Sequence, residues 1–349
     1  MKWDESLLRR ENNNFDLLRL GAALMVFVGH SPLVLGRSEL NPDPINWLFG
    51  HATHAFGVVI FFILSGFLVS HSWERRTSLL DFFKARVLRI YPALIVVVLL
   101  SVLVIGPLCT KFSWAEYFGN ERTYKYLANA SLFRITYLLP GVFEANPLAG
   151  SVNASLWSLP YEFFCYLLLA GLALLLPGRR IGKYFWPILM LVLCLAYIIW
   201  EKEMNQWYWK LIDIKGSVLF PYLLYFLSGS AYYHLRKHLR WHWSQALMVL
   251  GACLMIKLFD FNDLLNTLLI PYLVIYLGVF QKWTWKFYER MGDLSYGIYL
   301  YAFLIQQILL NFVPEIQSTW VLMGGSFPLI FLLAWASYRW IERPALSLK

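Results

Sequence analysis

The sequence predicts an all-α integral membrane protein, built as a single bundle of about ten transmembrane helices with both termini in the cytoplasm. Hydrophobic residues make up 59% of the 349 residues and charged residues only 15%, whereas about a quarter of an ordinary soluble chain is charged. The apolar residues fall in runs of about 17 to 25, the length that crosses a bilayer as a helix. Lys and Arg cluster between alternate runs, a pattern typical of cytoplasmic loops.

Ten apolar runs define the predicted helices, and each is taken as one membrane crossing. They cover residues 15–35, 55–72, 87–106, 154–176, 184–200, 217–234, 244–259, 264–281, 294–312 and 319–340. Residues 1–14 form a charged cytoplasmic tail without the apolar core of a cleavable signal, and residues 107–153 form a long outer-face loop expected to pack as a lid. No repeat or linker interrupts the chain, so residues 1–349 are predicted to be one transmembrane domain.

The basic residues set the orientation of the bundle. With the N-terminus inside, the cytoplasmic side holds 21 of the 30 Lys and Arg residues, in agreement with the positive-inside rule. The internal basic clusters lie within 75–89, 179–183, 236–240 and 282–290. Loop charges therefore explain the net charge of +9 without a nucleic-acid partner. Four cysteines without paired spacing indicate neither a disulfide framework nor a metal site.

Three ionisable residues, Asp16, Arg19 and His30, lie in the first predicted helix, and Arg19 and His30 are eleven positions apart. Such residues cost up to roughly 3 kcal/mol each at the centre of a membrane helix, so those that persist commonly have a function. Eleven positions at about 100° per residue place both side chains on one helix face, about 16 Å apart along the axis. Arg19, near the helix end, also fits a structural role as an anchor at the interface. His30 lies deep toward the outer side, where a neutral imidazole is a candidate general base.

Glu162 is the predicted partner of His30. It lies about 10 Å from the outer end of the fourth predicted helix, and His30 lies at a similar depth in its own helix. A carboxylate that accepts a hydrogen bond from the imidazole N–H would fix its tautomer and raise its basicity. The alternatives are that Glu162 pairs with an arginine or is protonated alone.

The second predicted cluster lies at the cytoplasmic boundary. Arg86 and Arg89 are spaced i, i+3 on one helix face, a pair suited to forked hydrogen bonds with phosphates; anchoring to lipid head groups explains the pair equally well. The Ser65–Gly66 pair permits close approach of a helix or a ligand. A basic entrance on one side and an imidazole toward the other fit a phosphorylated carrier with a long arm, such as a coenzyme A thioester.

Six segments follow one another along the chain: FDLLRLGAALMVFVGH, GVVIFFILSGF, KARVLRIYP, SLWSLPYEFFCY, LSYGIYLYAFLIQQ and WIERPAL. Together they resemble the membrane-bound acyltransferase family 3, whose bacterial members O-acylate surface and exported sugars. Any one segment is a weak signal, whereas six in order are specific. The resemblance implies a ten-helix fold that uses cytoplasmic acyl-CoA. Val59 and Ala302 stand where many members have an acidic residue and a histidine, which leaves His30 as the one histidine placed in mid-span.

The resemblance also implies roles for the matching residues. We assign catalysis to His30, as the base, and Glu162, and donor binding to Arg19, Ser65, Arg86, Arg89 and Tyr299. The oxyanion that forms during acyl transfer needs a hydrogen-bond donor, for which the candidates are Asn153, Trp157 and Tyr299. A covalent acyl-histidine at His30 is a variant of this mechanism.

The predicted reaction is the transfer of an acyl group, by the resemblance an acetyl group, from cytoplasmic acyl-CoA to a hydroxyl of a cell-surface or exported glycan. Lipopolysaccharide, exopolysaccharide and lipid-linked sugars are the acceptor classes considered. The expected donor substrate is acetyl-CoA, the expected surroundings are membrane lipid, and the expected location is a bacterial inner membrane that the chain crosses several times. Some family members carry a fused periplasmic domain, so this chain either completes the transfer itself or uses a separate periplasmic partner.

Three other functions compete with acyl transfer. The main alternative is a polytopic transporter or flippase in which Arg, His and Glu form an intramembrane pathway; the lack of repeated halves is evidence against it. A haem protein with two histidine ligands drawn from His30, His54 and His71 is the second. A purely structural membrane scaffold is the third, and the ionisable residues within the helices disfavour it.

Overall fold

The computed structural model describes residues 3–37, 42–75, 78–175, 184–259, 261, 263–280 and 291–349. The predicted basic clusters within 179–183 and 282–290 lie outside these residues. Within the described residues, ten long helices, numbered here α1 to α10, span Phe15–Val34, Thr53–Arg75, Leu79–Leu100, Ser158–Leu175, Phe185–Ile199, Gly216–Leu235, Trp243–Leu258, Asn266–Val279, Ser295–Phe312 and Thr319–Ser337.

Shorter elements join the long helices. Short α-helices span Pro44–Phe49, Gly106–Cys109, Trp114–Gly119, Glu121–Lys125, Glu201–Gln206 and Arg343–Leu346. Turns of 3₁₀-helix span Glu5–Leu8, Arg10–Asn12, Tyr126–Ser131, Ala154–Trp157 and Asp263–Leu265. Segments of π-helix span Ser101–Ile105 and Tyr338–Glu342. One antiparallel hairpin pairs β1 (Tyr208–Trp209) with β2 (Ile214–Lys215).

The protein belongs to the all-α membrane class. Five described segments are long and apolar enough to cross a bilayer, and each overlaps one predicted span. These segments are Phe15–Val34, Thr53–Arg75, Leu79–Cys109, Ala154–Leu174 and Thr319–Leu346. Helices α5, α7 and α8 are apolar but shorter. The total of ten crossings and the cytoplasmic location of both termini stay predictions.

The third helix begins earlier than the sequence predicts. The sequence predicts this helix over 87–106, whereas α3 starts at Leu79. The Ser78 side chain caps the helix by accepting a hydrogen bond from the backbone N–H of Asp81. The predicted range covers only the apolar run, whereas a helix that emerges from the membrane continues through polar residues. For this reason α3 includes the charged residues between 81 and 89. Arg86 and Arg89 therefore lie within the second and third turns of α3.

Helices α1, α2, α6 and α9 form the centre of the bundle. The backbones of α2 and α6 touch, since a Cβ at Gly66 would collide with the carbonyl oxygen of Phe226, and a Cβ at Gly229 with that of Ile63. Gly66 thus allows the close helix approach that the Ser65–Gly66 pair predicted. Helix α1 packs on both α2 and α9.

The segment of residues 107–153 is folded onto the bundle, and its location on the outer face stays a prediction. Tyr117 is completely buried and its hydroxyl donates to the carbonyl of Val102 at 3.0 Å. Further along, Asn146 donates to the Gln307 side chain at 2.9 Å, and Gln307 donates to the carbonyl of Ser151 at 2.7 Å. These bonds fasten the end of the loop to α9.

Candidate active site

Two adjoining cavities lie between α1, α2, α3, α4 and α9. The inner cavity has a volume of about 80 Å³ and is lined by apolar and aromatic side chains together with Ser65, Ser158, Glu162, Tyr166 and Tyr299. The second cavity, which we call the mouth, has a volume of about 250 Å³ and contains charged side chains. Arg19, Arg86 and Arg89 line both cavities. The three arginines therefore form the passage from the mouth into the inner cavity.

Arg89 is held by two buried carboxylates. Its Nη2 lies 2.6 Å from Oδ2 of Asp293, and its Nη1 lies 3.9 Å from Oε2 of Glu342. The guanidinium also lies 5.7 Å from the centre of the Tyr296 ring. The charge of Arg89 is thus largely balanced within the protein.

Arg86, one turn away on the same helix, has different surroundings. Its Nη2 donates to the hydroxyl of Ser72 at 3.0 Å. Its guanidinium carbon lies 5.6 Å from the centre of the Phe82 ring and 5.8 Å from that of Tyr166. These hydroxyl and aromatic contacts orient the Arg86 guanidinium, which lines both cavities.

Arg19 is only loosely paired. Its Nη1 lies 3.6 Å from Oδ1 of Asp16 and 3.8 Å from Oδ2 of Asp293, both beyond hydrogen-bond distance. Its side chain is 24% exposed. A phosphate in the mouth is therefore able to compete for this guanidinium.

Asp293 is a site residue that the sequence reasoning missed. It is 5% exposed and joins α1, α3 and α9, because it contacts Arg19 and Arg89 and accepts a hydrogen bond from the backbone N–H of Ser295 at 3.1 Å. Burial raises the pKa of the Asp293 carboxyl, but Arg89 and Arg19 outweigh burial and hold this pKa at about 2. The available signal was a lone acidic residue next to a predicted span, on the same side as the arginines.

Glu162 lies in the inner cavity and accepts hydrogen bonds from the hydroxyls of Ser65, at 2.5 Å, and Tyr166. The predicted hydrogen bond between His30 and Glu162 is wrong. His30 contacts His54, which precedes Ser65 by eleven residues on α2, a distance of about 16 Å along the axis. Glu162 therefore lies near the depth of Arg19, far from His30.

His30 is buried among aromatic rings, 7% exposed. Its ring centre lies 5.0 Å from that of His54 and 5.5 Å from that of Phe303, which meets it edge-on. The backbone carbonyl of Val26, one turn earlier on α1, interacts with the imidazole and favours the tautomer whose N–H faces it. In that tautomer the other ring nitrogen has a lone pair.

His30 lines neither cavity. The inner cavity reaches Tyr299 on α9, and Phe303 follows four residues later, about 6 Å further along the axis. One helical turn thus separates the end of the cavity from the imidazole.

The two remaining candidates for an oxyanion donor lie outside both cavities. Asn153 donates from its side-chain amide to the carbonyl of Leu300 at 2.8 Å and accepts from the backbone N–H of Ser155 at 3.2 Å, so it holds the lid to α9. Trp157 packs against Tyr161 and Tyr222. Of the predicted site residues, the structure brings together Arg19, Ser65, Arg86, Arg89, Glu162 and Tyr299.

The histidines of the haem alternative do not form one cluster. His54 lies beside His30, whereas His71 contacts the hydroxyl of Tyr233 at 3.2 Å. His71 follows His54 by seventeen residues on α2, which places the two about 25 Å apart along the axis.

Comparison with known proteins identifies related sequences. The family model described as an acyltransferase domain matches residues 12–339. An O-acetyl transferase of Shigella phage Sf6 is 30% identical over 310 residues, which cover 86% of this chain and 86% of that protein. Nodulation protein 10 of Rhizobium leguminosarum bv. viciae is 30% identical over 371 aligned positions, which cover 97% of this chain and 94% of that protein. No solved structure matches the chain.

Proposed function

The chain belongs to the acyltransferase family whose model spans residues 12–339, and on this basis we propose that it moves an acetyl group from cytoplasmic acetyl-CoA to a glycan hydroxyl. That the protein is an O-acyltransferase follows from the family and from its similarity to an O-acetyl transferase. The donor, the acceptor and the residue roles are the proposal. The observation that supports it most is the pair of cavities that meet at three arginines.

The mouth suits the nucleotide end of the donor. Five basic side chains line it (Arg10, Arg19, Arg86, Arg89 and Lys349), against two acidic ones, Asp16 and Asp293. Guanidinium groups bind phosphates through forked hydrogen bonds. We assign the phosphate contacts to Arg86 and Arg19, because Arg89 is already paired with Asp293 and Glu342.

The inner cavity suits the arm of coenzyme A. A volume of about 80 Å³ is several times that needed by one water molecule, which gives room for a thin chain. The hydroxyls of Ser65 and Ser158 and the carboxylate of Glu162 line this cavity. These groups match the amide N–H and C=O groups along the arm. Glu162 therefore belongs to the donor side in this proposal.

His30 provides the chemistry at the far end of the arm. The lone pair of its second ring nitrogen takes the proton of the acceptor hydroxyl, and the hydroxyl oxygen forms an ester bond with the thioester carbonyl carbon. The carbon–sulfur bond then breaks, and the proton passes from the imidazolium to the departing thiolate. The acyl group reaches His30 when the Phe303 ring moves aside, since that ring lies between the imidazole and the level of Tyr299.

The acceptor approaches from the opposite side. We assign the protein to a bacterial inner membrane, with the lid of residues 107–153 on the outer face. Trp114 and Tyr124 in this lid are 68% and 53% exposed, and such rings stack on sugars or line the membrane interface. The name of the phage relative supports acetyl as the transferred group. The transporter alternative has no comparable support, because the matching family is one of acyltransferases.

Isotope transfer tests this function directly. Cells of the organism from which the protein comes, with or without the protein, are grown on isotope-labelled acetate. The labelled O-acetyl groups on their envelope glycans are then measured by mass spectrometry. We expect labelled O-acetyl groups only where the wild-type protein is made, and none with His30→Ala. Equal labelling with and without the protein would refute the glycan acceptor. Full labelling by a folded His30→Ala protein would refute the base.

A further inference from the structure

A buried side chain beside His30 has an oxygen without a partner. Gln306 on α9 is completely buried. Its Nε2 donates to the hydroxyl of Ser31 at 2.6 Å, while its Oε1 accepts no hydrogen bond from any described residue. Leaving a buried carbonyl oxygen unbonded is unfavourable, and such groups are rare in native proteins unless a ligand or water uses them.

The position of Gln306 connects this oxygen with the catalytic imidazole. Ser31, its partner, directly follows His30 on α1. Phe303, which packs edge-on against the His30 ring, precedes Gln306 by one helical turn on α9. The amide therefore lies along the same α1–α9 interface as His30, about one turn nearer the predicted outer face.

The neighbouring glutamine shows how the chain treats a purely structural amide. Gln307 is equally buried, yet its Nε2 donates to the carbonyls of Leu148 and Ser151, at 2.9 and 2.7 Å, and its Oε1 accepts from Asn146 at 2.9 Å. Every polar atom of that side chain is used to fasten the lid. Two neighbouring glutamines thus differ at the side-chain oxygen, which is bonded in Gln307 and unbonded in Gln306, and this difference indicates that the oxygen of Gln306 is available to a ligand.

We propose that Gln306 is a positioning residue for the acceptor, and that its Oε1 accepts a hydrogen bond from a second hydroxyl next to the one that reacts. The reacting hydroxyl gives its proton to His30, so an oxygen that only accepts must bind a different O–H group. The acceptor class this implies is a sugar with two neighbouring hydroxyls. The inference rests on the proposed function and extends it to the acceptor side.

The test compares two matched variants, Gln306→Met and Gln307→Met. Methionine keeps the length of the side chain and removes its hydrogen bonds. Each variant is produced in source cells that lack their own copy, and the O-acetyl content of the envelope glycans is measured by mass spectrometry per amount of folded protein. Purified protein in detergent is used to measure the melting temperature and the affinity for acetyl-CoA.

We expect Gln306→Met to keep its melting temperature and its acetyl-CoA affinity, while glycan acetylation per folded protein falls about tenfold or more, as for the loss of one substrate hydrogen bond. Gln307→Met is expected to melt at a lower temperature, with glycan acetylation that falls only with the amount of folded protein. The contrast arises because only Gln307 has a complete set of structural bonds to lose.

Three results would overturn the inference. The first is a Gln306→Met protein that acetylates as the wild type does. The second is a stable Gln306→Met protein with weakened acetyl-CoA binding, since the amide would then serve the donor. The third is a Gln306→Met protein whose stability and activity fall together, as expected for Gln307→Met. If instead wild-type protein adds no acetyl groups to the glycans, the proposed function fails, and the inference fails with it for that separate reason.

Discussion

Arg86 and Arg89 lie one turn apart in α3, and we predict that replacing each with glutamine has opposite consequences. Arg89→Gln leaves the buried carboxylates of Asp293 and Glu342 without the cation now 2.6 Å and 3.9 Å away. Breaking a buried ion pair from one side costs about 3–5 kcal/mol. Arg86→Gln removes a hydrogen bond to Ser72 and contacts with aromatic rings, which together are worth about 1–2 kcal/mol.

The affinity for acetyl-CoA should fall more in Arg86→Gln than in Arg89→Gln, the reverse of the order expected for stability. A charge-assisted hydrogen bond to a phosphate is worth about 1.5–3 kcal/mol, which corresponds to a loss of roughly 10- to 150-fold in acetyl-CoA affinity. We expect that loss for Arg86→Gln, which remains folded. For Arg89→Gln we expect a lower unfolding free energy, with near-normal affinity in the fraction that folds.

Two measurements on each purified variant test these predictions. Denaturant unfolding in detergent micelles gives the free energy of unfolding, and calorimetric titration gives the affinity for acetyl-CoA. Glu121→Gln is the control, because Glu121 and its partner Lys125 are 80% and 58% exposed and line neither cavity, and exposed ion pairs contribute about 1 kcal/mol or less. If Arg86→Gln binds acetyl-CoA as the wild type does, or if Arg89→Gln is no less stable than Arg86→Gln, the division of roles between the two arginines is wrong.

Three further predictions concern Asp293 in the mouth, the Phe303 ring next to His30, and His30 itself. Asp293→Asn should lower the unfolding free energy at neutral pH by a few kcal/mol, since Arg89 and Arg19 hold the pKa of the Asp293 carboxyl below its ordinary value of 3.8 in the folded protein. A lowered pKa stabilises above the unfolded value, so the difference from wild type should shrink as the pH falls from 4 to 2; a constant difference would contradict it. Phe303→Ala should allow transfer of longer acyl chains, measured with a series of acyl-CoA donors, and unchanged chain preference would argue against the Phe303 ring as the barrier. His30→Gln should bind acetyl-CoA with wild-type affinity and lose glycan acetylation by at least about a hundredfold, and weakened donor binding would show that His30 serves the donor instead.

The sequence predicted the parts of the site that depend on a single helix. The spacing of Arg19 and His30 on one face of α1 follows from helix geometry alone. His30 is buried and Arg19 is 24% exposed at the mouth, and the functions assigned to both residues stay predictions. The i, i+3 spacing of Arg86 and Arg89 likewise follows from one helix, α3. The sequence did not reveal that Asp293 and Glu342 balance the charge of Arg89.

Contacts between helices could not be predicted from the sequence, because the depth of a side chain in the membrane does not determine which neighbouring helix it contacts. Glu162 was matched with His30 by depth, but it bonds to Ser65, 97 residues earlier in the chain. The 3₁₀ turn at Ala154–Trp157 precedes α4, and the hydrogen bonds from Ser65 and Tyr166 place Glu162 deeper than a count of residues from the predicted outer end of the helix.

The difference between Gln306 and Gln307 shows the same limit at neighbouring positions. Both residues are amides within one helix, and nothing in their sequence context separates them. Only the loop at 146–151 and the hydroxyl of Ser31 decide which amide is fully bonded. Asp293 was missed because its role depends on partners in α1 and α3.

A cryo-EM structure with a non-hydrolysable acetyl-CoA analogue tests the central claim most directly. We predict that the nucleotide phosphates contact Arg86 and Arg19 in the mouth, that the arm passes Ser65 and Glu162, and that the acetyl group lies beside His30 with the Phe303 ring displaced. An analogue bound away from the three arginines, or one whose acetyl group stops at Glu162 with His30 still enclosed, would contradict the account.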